Sequence, residues 1–369
     1  MPPPLASIFR TANKHFLQPI VWLCIIAPYP NCVLAESVYF EIESESLSEP
    51  VSLDGALHQW RGGFYKGNQA FTYNQVETGW QRAKLSIGYI QRFDYEVDMN
   101  EDSADFFYRV NNKKDLTAGK VYNIDFSVRN SYAHGIHLQY QLLNQDTFKL
   151  RVGISLLQGL RLTEGAVSGS ASVITQSDYD FDVGLDYYFT RDVVFNLPVT
   201  SPRGYGLGND IDLFYRLAPK LSVSIRARDI LAAIYWLKAP HINAHITSDT
   251  KTYDQDGWVK YDPVLSGKIS YRNFTQTLPA RIDAKWKYDW NTAFSTYATL
   301  HYYRLKSLYR LGMNYLFDSK SELDISALDT GAVSIGGRYR QFTANLTADA
   351  TTYERAHMLG LMMSLRFDL

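Results

Sequence analysis

Three observations predict an all-β chain forming a transmembrane, antiparallel, up-and-down β-barrel. Apolar and polar side chains alternate over most of its length, the longest apolar stretch stands near the N-terminus, and aromatic residues are abundant. Of 369 residues, 27 are Tyr and 14% are aromatic, with a hydrophobic content of 46% and a mean hydropathy of −0.23. A helical membrane protein needs about 20 consecutive apolar residues per span, and the sequence beyond the N-terminal segment has no such run. Strands with one apolar face fit this composition, because successive side chains on a strand point to opposite faces of the sheet.

In chain order, the first expected element is a signal peptide spanning residues 1–35. Arg10 and Lys14 supply the positive flank, residues 16–27 (FLQPIVWLCIIA) the apolar stretch, and Val33-Leu34-Ala35 a cleavage site after Ala35. Pro19, Pro28 and Pro30 interrupt this segment too often for a permanent spanning helix. Both cysteines, Cys24 and Cys32, lie within it, so the mature chain is expected to contain no disulfide or thiol chemistry. Loss of Arg10 and Lys14 takes the formal charge from −1 to −3, a near balance that argues against nucleic acid as a partner. Residues 36–70 read as a periplasmic lead-in, a first strand or a short plug, and residues 71–369 as the barrel.

The alternation is clearest after residue 82. Leu85, Ile87, Tyr89, Phe93, Tyr95 and Val97 alternate with Lys84, Ser86, Gly88, Arg92, Asp94 and Glu96, with Ile90 and Gln91 out of step. Tyr122, Ile124, Phe126 and Val128 follow, then Ile136, Leu138 and Tyr140, Val152 and Ile154, Phe181 to Tyr187, and Leu221 to Ile225. From Arg281 to Trp290, apolar residues alternate with five charged ones, and the pattern runs on to Leu359, Leu361, Met363, Leu365, Phe367 and Leu369. Turn signals separate the runs at Asp146, Pro219, Asn291, Ser319 and Gly331. The expected count is about 14 strands, within about 12 to 16, with the C-terminal strand closing the barrel. Counting back from a periplasmic C-terminus puts the turns at Asp146, Pro219 and Ser319 on the periplasmic side. Residues 191–205 become an outer loop and residues 247–263 a long inner connection.

Two segments resemble known families. Residues 360–369 (GLMMSLRFDL) are similar to the C-terminal signal by which outer-membrane proteins engage the barrel-assembly machinery. Those signals commonly end in an aromatic residue, whereas here Phe367 precedes a terminal Leu369. In residues 213–236, the Pro219 turn, an alternating strand and Arg228-Asp229-Ile230 lead to Ile234-Tyr235-Trp236. This segment resembles barrels related to the FadL long-chain fatty-acid transporters. The resemblance covers a small part of the chain, and no N-terminal hatch motif accompanies it.

The charged face carries the candidate site. Arg82, Lys84, Arg92, Asp94, Asp125, Arg129, Lys149, Arg151, Asp182, Asp186, Arg226, Arg281, Asp283, Lys285, Lys287, Arg338 and Arg366 share the parity opposite the apolar set. Arg or Lys facing lipid at the midplane costs about 2–4 kcal/mol, so this face is expected to line the lumen. Its mixed sign fits a cross-linked, closed interior as well as a water-filled one.

No catalytic, cofactor or metal site is expected. His241 and His245 share a strand face at roughly 13 Å, too far for one metal. Residues 98–105 read as an acidic surface loop that lacks the Gly and Glu of a calcium site, and no Ser, His and Asp residues form a recognisable nucleophile motif. The sequence therefore predicts a non-enzymatic barrel of the Gram-negative outer membrane, in contact with its lipid and lipopolysaccharide. It serves as a channel or transporter for small or hydrophobic molecules or, alternatively, as a non-conducting anchor of an envelope complex. An outer-membrane enzyme ranks third.

Overall fold

The computed structural model describes residues 36–192 and 198–369, without the side chains of 249–251 and 260–265, so the expected signal peptide lies outside the described residues. Each alternating run forms a strand. The first five are β1 (Ser37–Ser48), β2 (Gln69–Arg82), β3 (Leu85–Met99), β4 (Val121–Asn144) and β5 (Phe148–Thr175). Next come β6 (Asp178–Phe189), β7 (Arg203–Ala218), β8 (Leu221–Arg228), β9 (Ala233–Tyr253), β10 (Val259–Thr277) and β11 (Arg281–Asp289). The wall ends with β12 (Phe294–Tyr303), β13 (Ser307–Leu316), β14 (Ser321–Leu328), β15 (Val333–Tyr339), β16 (Phe342–Ala348) and β17 (Met358–Asp368). Among the described residues two helices stand in connections, α1 (Leu53–Leu57) and α2 (Glu101–Asn111).

Every pairing is antiparallel, and β1 closes the ring between β17 and β2. Residues 36–70 thus hold a first strand followed by an outer connection. Closure meets the requirement that a sheet in hydrocarbon have no open edge. Among the described residues the longest closed circuit has 16 strands, with β10 attached only through β9. The expected count of about 14 is therefore too low, for a local reason. β5 pairs with β7 along its first half and with β6 along its second, so β6 and β7 stand in line at one position of the wall. β8 and β9 are likewise in line, and so are β10 and β11. A reading that counts periods registers each such pair once or not at all.

The wall is uneven. β4 and β5 run 24 and 28 residues, far beyond the roughly 9–11 a tilted strand needs to span a bilayer, while β15 and β16 have seven each. Residues 247–263, expected as a long inner connection, instead belong to the β9–β10 hairpin at the tall outer end.

There the apolar face also changes its neighbour. Tyr122, Ile124, Phe126 and Val128 pack with Val97, Val183, Leu185, Ile242 and Ile246, and with Ala104, Phe106 and Phe107 of α2. Phe107 meets the Phe126 ring edge-on at 5.1 Å, and Trp60 lies beside it at 6.4 Å. The alternation in these strands serves a hydrophobic core outside the bilayer rather than a lipid face. α2 corrects the reading of 98–105 as a loop: the Asn100 side chain accepts from the Ser103 N–H, Glu101 and Asp102 occupy the first turn, and Arg109 the last.

Candidate functional site

The lumen is built from every second residue of the wall, and carboxylates and cations from opposite walls meet across it. Arg92 of β3 reaches Asp94 on its own strand at 2.7 Å and Asp229, in the β8–β9 connection, also at 2.7 Å. Arg281 of β11 lies 3.8 Å from Asp229, donates to Gln75 of β2 at 3.3 Å, and sits over the Tyr73 ring. The Tyr73 hydroxyl donates to Glu96 at 2.5 Å, and Arg304, from the β12–β13 turn, holds Glu96 at 2.7 Å. Arg129 bridges towards Glu164 at 2.9 Å. Arg92, Asp94, Asp229 and Glu96 are each no more than 3% exposed, so the layer is dry. Its charges persist there because each has an opposite charge in contact.

Exposure falls along β8. Towards the short turns, Arg226 pairs with Asp212 and with Glu43 of β1, and the three side chains are 44%, 32% and 30% exposed. Arg228, which also holds Glu43, is 14% exposed, and Asp229 beyond it only 3%. Water thus enters from the short-turn end as far as Arg226 and Glu43 and stops at Arg92. Above the dry layer, Leu47, Phe71, Tyr73, Tyr303, Leu308, Leu328 and Met358 fill the lumen with apolar groups.

The expected charged residues divide by place. Arg92, Asp94, Arg129, Arg226, Arg281 and Asp283 belong to the cross-lumen network, with Asp283 2.5 Å from His301. On the short wall, Lys285 sits 3.6 Å over the Tyr297 ring, Lys287 pairs with Asp289, and Arg338 with Glu322. Arg151 donates to Gln141 and Arg366 to Gln81, while Lys149 is exposed near Phe214. The remaining five need correction. Arg82 and Lys84 flank the β2–β3 turn and are exposed. Asp125, Asp182 and Asp186 lie in the outer half of the tall wall and are exposed, Asp182 pairing with His245 and Asp186 with His241. Each of those imidazoles takes its own carboxylate, and among the described residues no three metal-ligating side chains gather.

The sequence reading missed several of the partners in these contacts: Glu43, Glu45, Glu77, His137, Asp210 and Asp229. The β1 carboxylates carried a usable signal, since Val38, Phe40 and Ile42 alternate with Tyr39, Glu41 and Glu43. Buried His137 lies with Nδ1 2.9 Å from Glu77 and Nε2 3.0 Å from Asp210, while Tyr39 donates to Glu77 at 2.6 Å. With carboxylates against both nitrogens, this imidazole has no face free to serve as a general base. His301 is oriented by Asp283, yet among the described residues no hydroxyl donates to it.

At the outer rim, the connection from β1 to β2 leaves an open apolar cleft against the tops of β2 and β3. Leu53, Ala56, Trp60, Phe71, Phe93 and Tyr95 are among its walls, and it encloses about 670 Å³, counting space open to solvent. Phe71 is among the residues that line the cleft, and on the lumen face its ring stacks on Tyr73 at 5.0 Å and meets Tyr303 at 5.0 Å.

Outside, the same strands expose Ile154, Leu156, Tyr309, Leu311, Ile335 and Leu346, each more than half exposed. A closed ring with charges within and such a band without is the arrangement a lipid bilayer selects. The molecule is a β-barrel built to span a membrane. No family model matches this barrel, and no curated protein matches it. Among solved structures it is similar to a deletion mutant of the monoaromatic hydrocarbon channel TodX, at 9% identity over 91% of each chain and a TM-score of 0.42. It is also similar to the Ralstonia pickettii toluene transporter TbuX, at 9% identity over 91% of this chain and 90% of that one, TM-score 0.31. A Pseudomonas aeruginosa FadL homologue matches at 10% identity over 90% of this chain and 89% of that one, TM-score 0.26.

Proposed function

We propose that this barrel takes small hydrophobic molecules from the outer face of the membrane and passes them inward while blocking ions. The observation that carries the reading is the apolar cleft at the outer rim, where Phe71 joins it to the aromatic group at the top of the lumen. Ligand pockets of this kind are concave and mostly apolar. A molecule without charge gains by entering such a cleft, whereas an ion would shed its hydration first at the cleft and again at the dry Arg92 layer.

A second reading has its own support: the cross-linked lumen and the separate outer core suit a non-conducting anchor that presents its outer end to an envelope partner. The test is entry of a labelled aromatic hydrocarbon such as toluene into proteoliposomes, beside single-channel recording in planar bilayers. Passage predicts entry faster than in protein-free vesicles and slowed several-fold by Phe71→Asp, with no conductance steps. Entry no faster than in empty vesicles overturns passage and leaves the anchor reading.

A further inference from the structure

A set of cations on the outer surface of the wall has no counter-charge. At the middle of the tall wall, Gly159 of β5 stands opposite Ala133 of β4 and Leu162 opposite Ser131, so β5 carries one extra residue, at Leu160. Leu162 is fully buried on the lumen side; its carbonyl accepts from the Thr190 N–H and its own N–H donates to the Thr190 hydroxyl. Its neighbour Arg161 and Thr190's neighbour Arg191 therefore fall together on the opposite, outer side, close enough for their charges to oppose each other. Arg203 joins them. It precedes Gly204, where an added Cβ would lie 2.7 Å from the Trp236 ring inside the barrel, so Arg203 faces out. Its cross-strand partner is Leu237, and Lys238 follows in a left-handed conformation at φ 51°. Among the described residues none of these four cations has an ion pair.

Their level on the wall identifies what would neutralise them. On the same outer face, nearer the short turns, Leu156, Leu160, Tyr205 and Leu207 are exposed and form the apolar band. Farther out the strands turn to their own core with α2. The cations thus stand where hydrocarbon gives way to headgroups, beside outward tyrosines of the type that anchors at that depth. Four positive charges held together without a carboxylate repel one another and are stabilised by an anion; at this boundary the available anion is a lipid phosphate. We propose that Arg161, Arg191, Arg203 and Lys238 form a binding site for the phosphate groups of an outer-leaflet lipid. The site is independent of whatever passes through the lumen.

The test uses the full-length barrel in nonionic detergent, titrated with bisphosphorylated lipid A and followed by native mass spectrometry. Binding is expected to weaken roughly fivefold for each cation removed, hence about 25-fold in Arg203→Gln/Lys238→Gln. The control Lys84→Gln/Lys320→Gln, at the short-turn end, leaves it unchanged. Dephosphorylated lipid A is expected to bind no better than to the double variant. All four substituted side chains are exposed, and the heat-modifiable gel shift reports barrel closure. Should the double variant fail to close, Lys238→Gln alone carries the same comparison at about fivefold. Equal binding of lipid A to wild type and variant overturns the proposal, as does equal binding of the dephosphorylated lipid. Full displacement of lipid A by equimolar inorganic phosphate also overturns it, since the site would then be one for free phosphate.

Discussion

At the level of single residues, the lumen separates two kinds of ion pair by their access to water. Arg92 contacts two buried carboxylates, so Arg92→Ala strands Asp94 without a cation and leaves Asp229 only the more distant Arg281, at an expected cost of about 3–5 kcal/mol. Arg226→Ala acts on a half-exposed pair and is expected to cost about 1 kcal/mol or less. Unfolding of both variants in detergent checks the contrast, which fails if Arg226→Ala proves as damaging. Trp236 supplies a second prediction. It is fully buried, donates to Gln276 at 3.2 Å, and lies over Gly159, where a Cβ would stand 2.6 Å from its ring. Gly159→Ala is therefore expected to lower stability by about 1–3 kcal/mol through overpacking, read from the same unfolding curves. The charges were legible in the sequence, because parity alone places Arg92, Asp94, Arg226 and Arg281 on one face. Their partners were not, since Glu43 and Arg226 lie far apart in the chain and meet only when the wall closes.

Among the elements, α2 holds the outer core. Phe107→Ala removes a ring packed against Phe126 and Trp60 and is expected to destabilise that core by about 3–5 kcal/mol. Limited proteolysis should then cut the outer connections of folded barrels while the heat-modifiable band survives. Loss of that band instead would show the outer core and the transmembrane ring to be one cooperative unit. Asn100→Ala removes the helix cap and is expected to have the same effect at about 1 kcal/mol. The helix was signalled by Asn100, Glu101 and Asp102 ahead of Ala104, Phe106 and Phe107, but the surrounding alternation concealed it. Strands such as Tyr122–Val128 show why an alternating run does not name its solvent. A face against lipid and a face against a helix both demand an apolar residue at every second position.

For the whole molecule, closure rests on β1. Ser37 to Leu47 pair with β17 on one side, and the strand pairs with β2 on the other. Deleting residues 37–48 is expected to leave β17 and β2 with open edges, and hence to abolish the heat-modifiable form; a closed barrel in that deletion would mean that β2 and β17 join directly. The dry layer also predicts electrical silence in planar bilayers, with conductance steps appearing in Arg92→Ala.

Alternation by itself specifies an antiparallel barrel with charges within, because side-chain direction along a strand is a local property of the backbone. It leaves open which strands continue one another end to end, which greasy faces meet lipid and which meet α2, and which charges pair. Those depend on residues far apart in the chain, brought together when the ring closes, and the folded molecule alone supplies that proximity.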